Sequence, residues 1–314
     1  MSRVGRASSG KRRVALSVAG VCAMFVVVAT TAVANGHAST TTTTSTTTTT
    51  TTTSSSTTTS SEVTTTTLAT TTTTAPLDER DPFNVPVVAA YLRNRTNVVT
   101  AAVYDVRSGR TYFYNYGVHE VTASMVKIDI LADLLWESQQ AHHALTTRQN
   151  SLAIKMIDYS NNGAANILWN DIGGREDLDE FNALIGFKQT IPNYDWGEIE
   201  TTPRDQLELL KAIVLPNSVL SAASRAYEMQ LMENVTGSER FGLGWGSPAR
   251  VTVGLKDGYY PETATGWQIN TTGFVTYHSR LYLATIMCSN NPDETYGIQT
   301  VTTVAQLIWK NLKP

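Results

Sequence analysis

The spacing of apolar residues changes several times beyond residue 77, and each change predicts an element. Alternating or continuous runs of β-type residues indicate strands at 98–106, 111–116, 250–256, 267–277 and 280–288. Apolar residues three and four apart indicate helices at 84–93, 124–138, 146–159, 163–171, 177–185, 203–214, 220–232 and 296–312. Residues 186–201 show neither period and are predicted to form a loop.

The order of these elements is strands, a block of helices, strands and a closing helix. Strands that are distant in sequence can join one antiparallel sheet while the helices between them form a separate layer. We therefore predict an α/β (α+β) fold, with an antiparallel sheet flanked by helices and an inserted all-α lobe. The cleft between sheet and lobe is the expected place for a binding site.

The first 76 residues have no such pattern and divide into three predicted segments. Residues 1–13 are a basic tail, and residues 14–34 are an uncharged run suited to a membrane anchor or an export signal. Residues 35–76 are nearly all Thr and Ser and are expected to form a disordered stalk. We expect residues 77–314 to be exported, either anchored or released by cleavage near Ala34.

The composition of residues 77–314 indicates which kinds of ligand and partner to expect. This part holds 19 basic and 26 acidic residues, a net charge of about −7, which argues against nucleic-acid binding. Its cysteine, Cys288, lies in an apolar run and is expected to pack in the core. The five histidines show no ligand spacing, so no metal site is predicted. We expect a monomer without a cofactor.

Candidate chemistry begins at Ser124 and Lys127, three residues apart at the start of a predicted helix. This spacing places both side chains on one helix face. A serine hydroxyl becomes a nucleophile when a neighbour accepts its proton, and a lysine can do so if burial or a nearby cation lowers its pKa. The helix continues with apolar residues at helical spacing, which are Met125, Ile128, Leu131, Leu134 and Leu135.

Two further stretches could complete such a site. Ser160 could pass a proton to a leaving group, and Asn162 could hold a substrate carbonyl. Each also fits an ordinary helix cap.

The last stretch follows a predicted strand. Lys256 could attract a substrate carboxylate and lower the pKa of Lys127. Gly258 would let a substrate approach the strand edge, and the amides of Ser124 and Tyr259 could form an oxyanion hole. An Asp-Gly pair at this place also fits a surface turn.

Taken in order, these motifs resemble those of the class A β-lactamases and penicillin-binding serine hydrolases, in particular an actinobacterial β-lactamase-like branch. The motifs are Ser124-x-x-Lys127, Ser160-x-Asn162 and Lys256-x-Gly258, with Ser160 to Leu168 the most specific stretch. The resemblance implies a β-lactamase/transpeptidase-like fold. It also implies that Ser124 is acylated, Lys127 is the base, Ser160 relays the proton, Asn162 holds substrate and Lys256 anchors a carboxylate.

The chain departs from the resemblance in three ways. Class A enzymes have a glutamate in the omega loop that activates water, whereas the corresponding residues 187–201 lack that motif. Asp195 and Glu198 are the candidate substitutes. Asp257 replaces a hydroxyl residue and is expected to repel a substrate carboxylate from a partly exposed position. The interval between Ser124 and Ser160 is also shorter than in class A enzymes.

These observations favour an exported serine hydrolase that forms an acyl-enzyme at Ser124 and releases it with water. Its substrate would be a small β-lactam or a peptidoglycan peptide ending in D-Ala. A penicillin-binding protein with slow deacylation is one alternative. A non-catalytic domain that binds or senses the cell wall is an alternative of another class.

Overall fold

The structure is a computed structural model that describes residues 78–244, 250–262 and 266–312. The predicted basic tail 1–13, the anchor or signal 14–34 and the stalk 35–76 lie outside the described residues. Within the described ranges, no helix has both the length and the apolar character needed to span a bilayer.

Helices and strands follow the predicted order. The strands are β1 Val98–Asp105, β2 Arg110–Tyr114, β3 Glu120–Val121, β4 Glu200–Thr201, β5 Thr252–Glu262, β6 Gly266–Tyr277 and β7 Arg280–Asn291. The helices are α1 Pro86–Arg93, α2 Lys127–Gln140, α3 Thr147–Asp158, α4 Asn162–Asp171, α5 Arg175–Ile185, α6 Pro203–Val214, α7 Ala222–Asn234 and α8 Glu294–Asn311.

The long strands form a five-stranded antiparallel sheet in the order β2-β1-β7-β6-β5. β7 lies at its centre and pairs with β1 from Val98 opposite Ser289 to Asp105 opposite Tyr282. Helix α8 packs on β6 and β7, and α6 packs on β1 and β7, while α2 contacts α3, α4, α5 and α7 in the helical lobe. The predicted antiparallel sheet with flanking helices is therefore confirmed.

Helix α2 forms the centre of the helical lobe. The predicted apolar residues on it are buried, and so are two carboxylates of the same helix, Asp129 and Asp133. Ser124 itself lies in a 3₁₀ turn, Ala123–Val126, and the α-helix begins at Lys127. The expectation that Ser124 starts the α-helix was wrong by this one turn.

Strand β5 is longer than its sequence indicates. The prediction ended it at Lys256 because Asp257-Gly258 is a common turn pair. In the structure β5 continues to Glu262, since residues 257–262 pair with β6 through to Glu262 opposite Gly266. Pairing with a long neighbouring strand overrides the local turn preference.

The predicted loop 186–201 is fixed at both ends. Near its start, the Asp205 carboxylate accepts hydrogen bonds from the amides of Lys188, Gln189 and Thr190 at 2.7–3.1 Å. At its end, β4 pairs with β3, which leads directly into the Ser124 turn. The loop contains one short 3₁₀ turn, Trp196–Glu198, that packs against the Ser124 turn.

Candidate active site

The turn that carries Ser124 is held by the sheet. Ala123 adopts a left-handed conformation, with φ 49°, which non-glycine residues rarely adopt and which is a common form of strain at functional sites. Asn270 on β6 donates from Nδ2 to the carbonyls of Val121 and Thr122 at 2.7 and 3.1 Å. These contacts stabilise the turn in the geometry that presents the Ser124 side chain.

Gly258 allows β5 to approach this turn closely. A Cβ atom at position 258 would lie 2.7 Å from Thr122 O and 2.8 Å from Met125 N, closer than such atoms can come. The requirement for glycine therefore arises from contact with the protein's own backbone. This contact differs from the approach of a substrate to the strand edge, which stays a prediction. Tyr259 follows on the same strand, and its side chain is 40% exposed.

Lys127 is fully buried, and its amine lies among oxygen atoms. Nζ donates to Ser124 Oγ at 2.8 Å, to Asn162 Oδ1 at 2.6 Å, and to Ser160 O and Oγ at 2.7 and 3.1 Å. An ammonium group has three N–H bonds, so four acceptors exceed its capacity. No carboxylate among the described residues hydrogen-bonds to this amine.

Ser160 joins the two buried lysines. Its Oγ accepts from Lys256 Nζ at 3.0 Å, and Lys256 also donates to the carbonyl of Asp257 at 2.8 Å. Like Ala123, Ser160 has a positive φ, 52°, directly before the residue that caps α4. The Ser160 hydroxyl therefore contacts both amines and can pass a proton between them and a bound group.

Burial and charge change the acidity of both lysines. Burial, together with the positive charge of Lys256, lowers the pKa of Lys127 to about 7, although the charge of Glu239 opposes the change. Burial also lowers the pKa of Lys256 to about 8, against the raising effects of Asp257 and Glu239. Lys127 is therefore uncharged in a substantial fraction of molecules near neutral pH and can accept the proton of a serine.

The arrangement thus combines a serine hydroxyl, a lysine able to take its proton and a second serine between two lysines. A sequence model of the beta-lactamase enzyme family matches residues 145–312. The chain belongs to this family. Since the match begins after Ser124 and Lys127, the evidence for those two residues is the geometry described above. Among curated proteins, none matches the chain.

Solved structures of β-lactamases share the fold. A β-lactamase from Chitinophaga pinensis is 18% identical with a TM-score of 0.65, and the alignment covers 72% of this chain and 98% of that one. A class A β-lactamase from Bacteroides cellulosilyticus is 17% identical with a TM-score of 0.67, over 74% and 98%. An ancestral class A β-lactamase is 22% identical with a TM-score of 0.62, over 71% and 98%. This member of the family is a serine hydrolase of the β-lactamase type.

The predicted site residues lie together in this enzyme, with one difference at Asp257. Its carboxylate is only 1% exposed and accepts the amide of Phe241 at 2.5 Å. Burial raises its pKa to about 7, although hydrogen bonds from Thr271 and Phe241 favour the charged form. The expectation that the Asp257 carboxylate is partly exposed is therefore wrong. Side chains alternate between the two faces of a strand, so Asp257 could have been predicted to lie on the face of β5 opposite Lys256.

The acids proposed as substitutes for the omega-loop glutamate have other partners. Asp195 accepts the amide of Gly197 at 3.0 Å, and Glu198 accepts the hydroxyl of Tyr260 at 3.1 Å. Neither hydrogen-bonds to Ser124 or Lys127. The residue of this loop that reaches the site is Trp196, whose ring centre lies 5.0 Å from Lys127 Nζ.

No sequence motif marks Trp196 or Glu239 as a site residue. Trp196 lies in a stretch without apolar periodicity. The one sequence feature that could have identified it is its position in the segment that corresponds to the omega loop. Glu239 lies in a 3₁₀ turn, Gly237–Glu239, and its charge acts on Lys127, Lys256 and Tyr259. A cavity of about 390 Å³ lies elsewhere, between α2, α3 and α7, and is lined by residues such as Leu135, Leu145 and Tyr227.

Proposed function

We propose that the enzyme acylates Ser124 with the carbonyl of a β-lactam or of a D-Ala-type peptide amide. The observation that carries the proposal is the contact of Lys127 Nζ with both serine hydroxyls, at 2.8 and 3.1 Å, in a buried setting that lowers the lysine pKa. An uncharged lysine in this position can accept the proton of Ser124 as the serine attacks.

The proton and electron pairs can be followed through the acylation step. Ser124 Oγ bonds to the carbonyl carbon while its proton passes to Lys127, and the carbonyl oxygen becomes an oxyanion facing the amides of Ser124 and Tyr259. The C–N bond then breaks, and the nitrogen receives a proton from Lys127 through Ser160. An ester at Ser124 and a free amine remain.

Two groups would orient the substrate. Lys256, whose amine contacts Ser160 Oγ, would attract a carboxylate near the scissile amide, a feature that penicillins share with peptides ending in D-Ala. The Nδ2 group of Asn162 would donate to a substrate carbonyl, since its Oδ1 already accepts from Lys127. Burial raises the pKa of Asp257 to about 7, so a fraction of its carboxyl groups is uncharged near neutral pH and does not repel such a carboxylate.

Residues 1–76 support an export route. We propose that the basic tail remains in the cytoplasm while residues 14–34 anchor the chain or are removed near Ala34. The Thr/Ser-rich stretch would then place the hydrolase at the cell wall, where its substrates occur. The mass of the mature chain recovered from membranes and culture medium tests this route.

Acylation is tested by incubating the whole chain with a fluorescent penicillin. We expect label on the wild type and none on Ser124→Ala, because the variant has no nucleophile. Ser151→Ala, at an exposed serine of α3, is the matched control and should be labelled like the wild type. Absence of label from all three proteins would contradict the proposal and favour a non-catalytic wall-binding or sensor domain.

The fate of the acyl-enzyme is followed with a chromogenic cephalosporin. Steady turnover would identify a β-lactamase. A burst of about one equivalent followed by a slow phase would identify a penicillin-binding hydrolase of the D-Ala-D-Ala carboxypeptidase type. We expect the burst, because no described carboxylate contacts Ser124 or Lys127 to activate water.

A further inference from the structure

We propose that Trp196 excludes hydrolytic water from the side of Lys127 and thereby sets the lifetime of the acyl-enzyme. The proposal rests on acylation of Ser124 as proposed above. It attributes slow deacylation, the second half of the reaction, to the side chain of Trp196.

Trp196 is fixed against the site from two directions. Its indole Nε1 donates to Asn166 Oδ1 at 2.8 Å, and Asn166 lies on α4, the helix that begins at Asn162 beside the lysine. The turn that carries Trp196 is capped by Asp195, whose carboxylate accepts the amide of Gly197. The hydrogen bond to Asn166 therefore orients the indole, and the closed turn fixes the backbone that carries it.

The environment of Lys127 Nζ leaves little space for water. Oxygens of Ser124, Ser160 and Asn162 take up its hydrogen-bonding directions. The Trp196 ring, with its centre 5.0 Å from Nζ, covers a further side. A water molecule activated by this amine would need to hydrogen-bond to it, and the indole ring cannot accept that role, since its N–H donates to Asn166.

Nearby acids do not provide another base in this arrangement. Glu198 is bound to Tyr260, and Asp195 closes its own turn. Glu239 is not among the hydrogen-bond partners of Lys127. Lys127 is therefore the group best placed to activate water, and Trp196 stands where that water would need access.

Deacylation requires this water. Its oxygen bonds to the ester carbonyl carbon, the bond from that carbon to Ser124 Oγ breaks, and one water proton returns to Oγ. The product is a carboxylic acid, and no oxidant or cofactor is required. Exclusion of water from Lys127 slows this step but leaves acylation intact, since acylation uses the serine proton alone.

The test measures the two half-reactions separately by intact-mass spectrometry. The whole chain is acylated with benzylpenicillin, excess drug is removed, and loss of the added mass is followed for wild type, Trp196→Ala and Trp196→Phe. We expect release from Trp196→Ala to be faster by on the order of 10- to 100-fold, which is at or below the lower end of the roughly 10²–10⁴-fold that a positioned base contributes. Trp196→Phe retains a ring over the amine without the bond to Asn166 and should release slowly, like the wild type.

A second readout separates exclusion of water from a general loosening of the fold. Water that reaches Lys127 in Trp196→Ala reduces its desolvation, so the rise of the acylation rate with pH should move to higher pH. Trp196→Phe and Asn166→Ala should retain the wild-type profile. Thermal unfolding of each variant identifies any that fails to fold, and the remaining variants still decide the question.

The outcomes separate the two proposals. Acylation of every variant with equal release rates would overturn the role of Trp196 and leave the proposed function in place. Fast release from both Trp196→Phe and Trp196→Ala would also overturn it, because the ring alone would then not exclude water. Absence of any added mass on the wild type would overturn the proposed function and, with it, this inference.

Discussion

Lys127 is unusual because it is buried without a carboxylate partner in the part of the chain that the structure describes. Its contacts are hydroxyl, carbonyl and amide oxygens, none of which carries the full negative charge of a carboxylate. A buried lysine with a carboxylate partner would retain its proton. The site therefore favours the form of the lysine that can accept a proton.

The acylation rate should depend on pH through this group. The proposed base must be uncharged, so the rate should rise with pH through about 7, the pKa of Lys127. Lys256→Met removes the cation that lowers this pKa, so the rise should move to higher pH. Stopped-flow labelling with fluorescent penicillin between pH 5 and 9 measures the profile.

Exposed Lys155 provides the matched control. Lys155→Met should retain the wild-type profile. Lys256→Met should also lower the rate by weakening carboxylate binding, but only the position of the rise tests the electrostatic effect. An unchanged position in Lys256→Met would contradict it.

Site residues could be predicted where they lie close together in the sequence. Ser124 and Lys127 share one turn, and Ser160 and Asn162 share another, so short motifs identify each pair. Trp196 reaches Lys127 only because a loop without periodicity folds over it. Such contacts depend on the tertiary path of the chain and leave no local pattern.

At the scale of elements, α2 combines the functional lysine with buried acids. Asp133 is fully buried, and neither of its carboxylate oxygens has a hydrogen-bond partner among the described residues. Burial, together with nearby negative charges of which Glu137 acts most strongly, raises its pKa to about 9. Burial likewise raises the pKa of Asp129 to about 7 and that of Glu228 on α7 well above its usual value.

These acids predict that the folded enzyme loses stability as the pH rises. A raised pKa means that the folded state holds a proton that the unfolded state has released. The stability is fully present below the unfolded pKa of about 4 and is lost as the pH rises to about 9 for Asp133. The slope is about 1.4 kcal/mol per pH unit for each such proton.

Asp133→Asn should reduce this dependence, because asparagine has a similar shape and no titrating proton. We expect a higher unfolding free energy near pH 8 and a shallower slope, measured by urea unfolding between pH 5 and 9. Asp179→Asn, at an exposed position of α5, should leave the slope unchanged. Equal slopes in Asp133→Asn and wild type would show that Asp133 is charged in the folded state.

Most helices and strands could be predicted, because each buries one face and its apolar residues therefore recur at helical or strand spacing. The exceptions involve pairing between distant segments. β5 extends past its Asp257-Gly258 pair because β6 lies beside it, and β4 forms because β3 is its partner. Neither partner can be identified from the local sequence.

At the scale of the molecule, the sheet is formed from both ends of the described chain. β1 comes before the helical lobe, whereas its partner β7 follows the lobe almost 180 residues later. The family match at 145–312 leaves out β1, β2 and α2. Without them, β7 would have an unpaired edge and the helical lobe would lack its central helix.

A fragment of residues 145–312 should therefore not fold. We expect a circular dichroism spectrum with little helix and no cooperative thermal transition, whereas residues 78–314 should show one. Adding residues 78–144 as a separate chain should restore some structure if β1 pairs with β7 in trans. A cooperative transition of the fragment alone would show that the N-terminal elements are dispensable.

The contacts of the reactive serine and lysine have a mechanical consequence. Asn270 and Gly258 attach the serine turn to the sheet, whereas Ser160 and Asn162, which hold the lysine, start a helix of the lobe. Ser124 and Lys127 are therefore positioned by contacts from two different layers, the sheet and the helical lobe. A small separation of those layers would inactivate the enzyme while most of its secondary structure remained. On heating, activity should therefore be lost at a lower temperature than secondary structure.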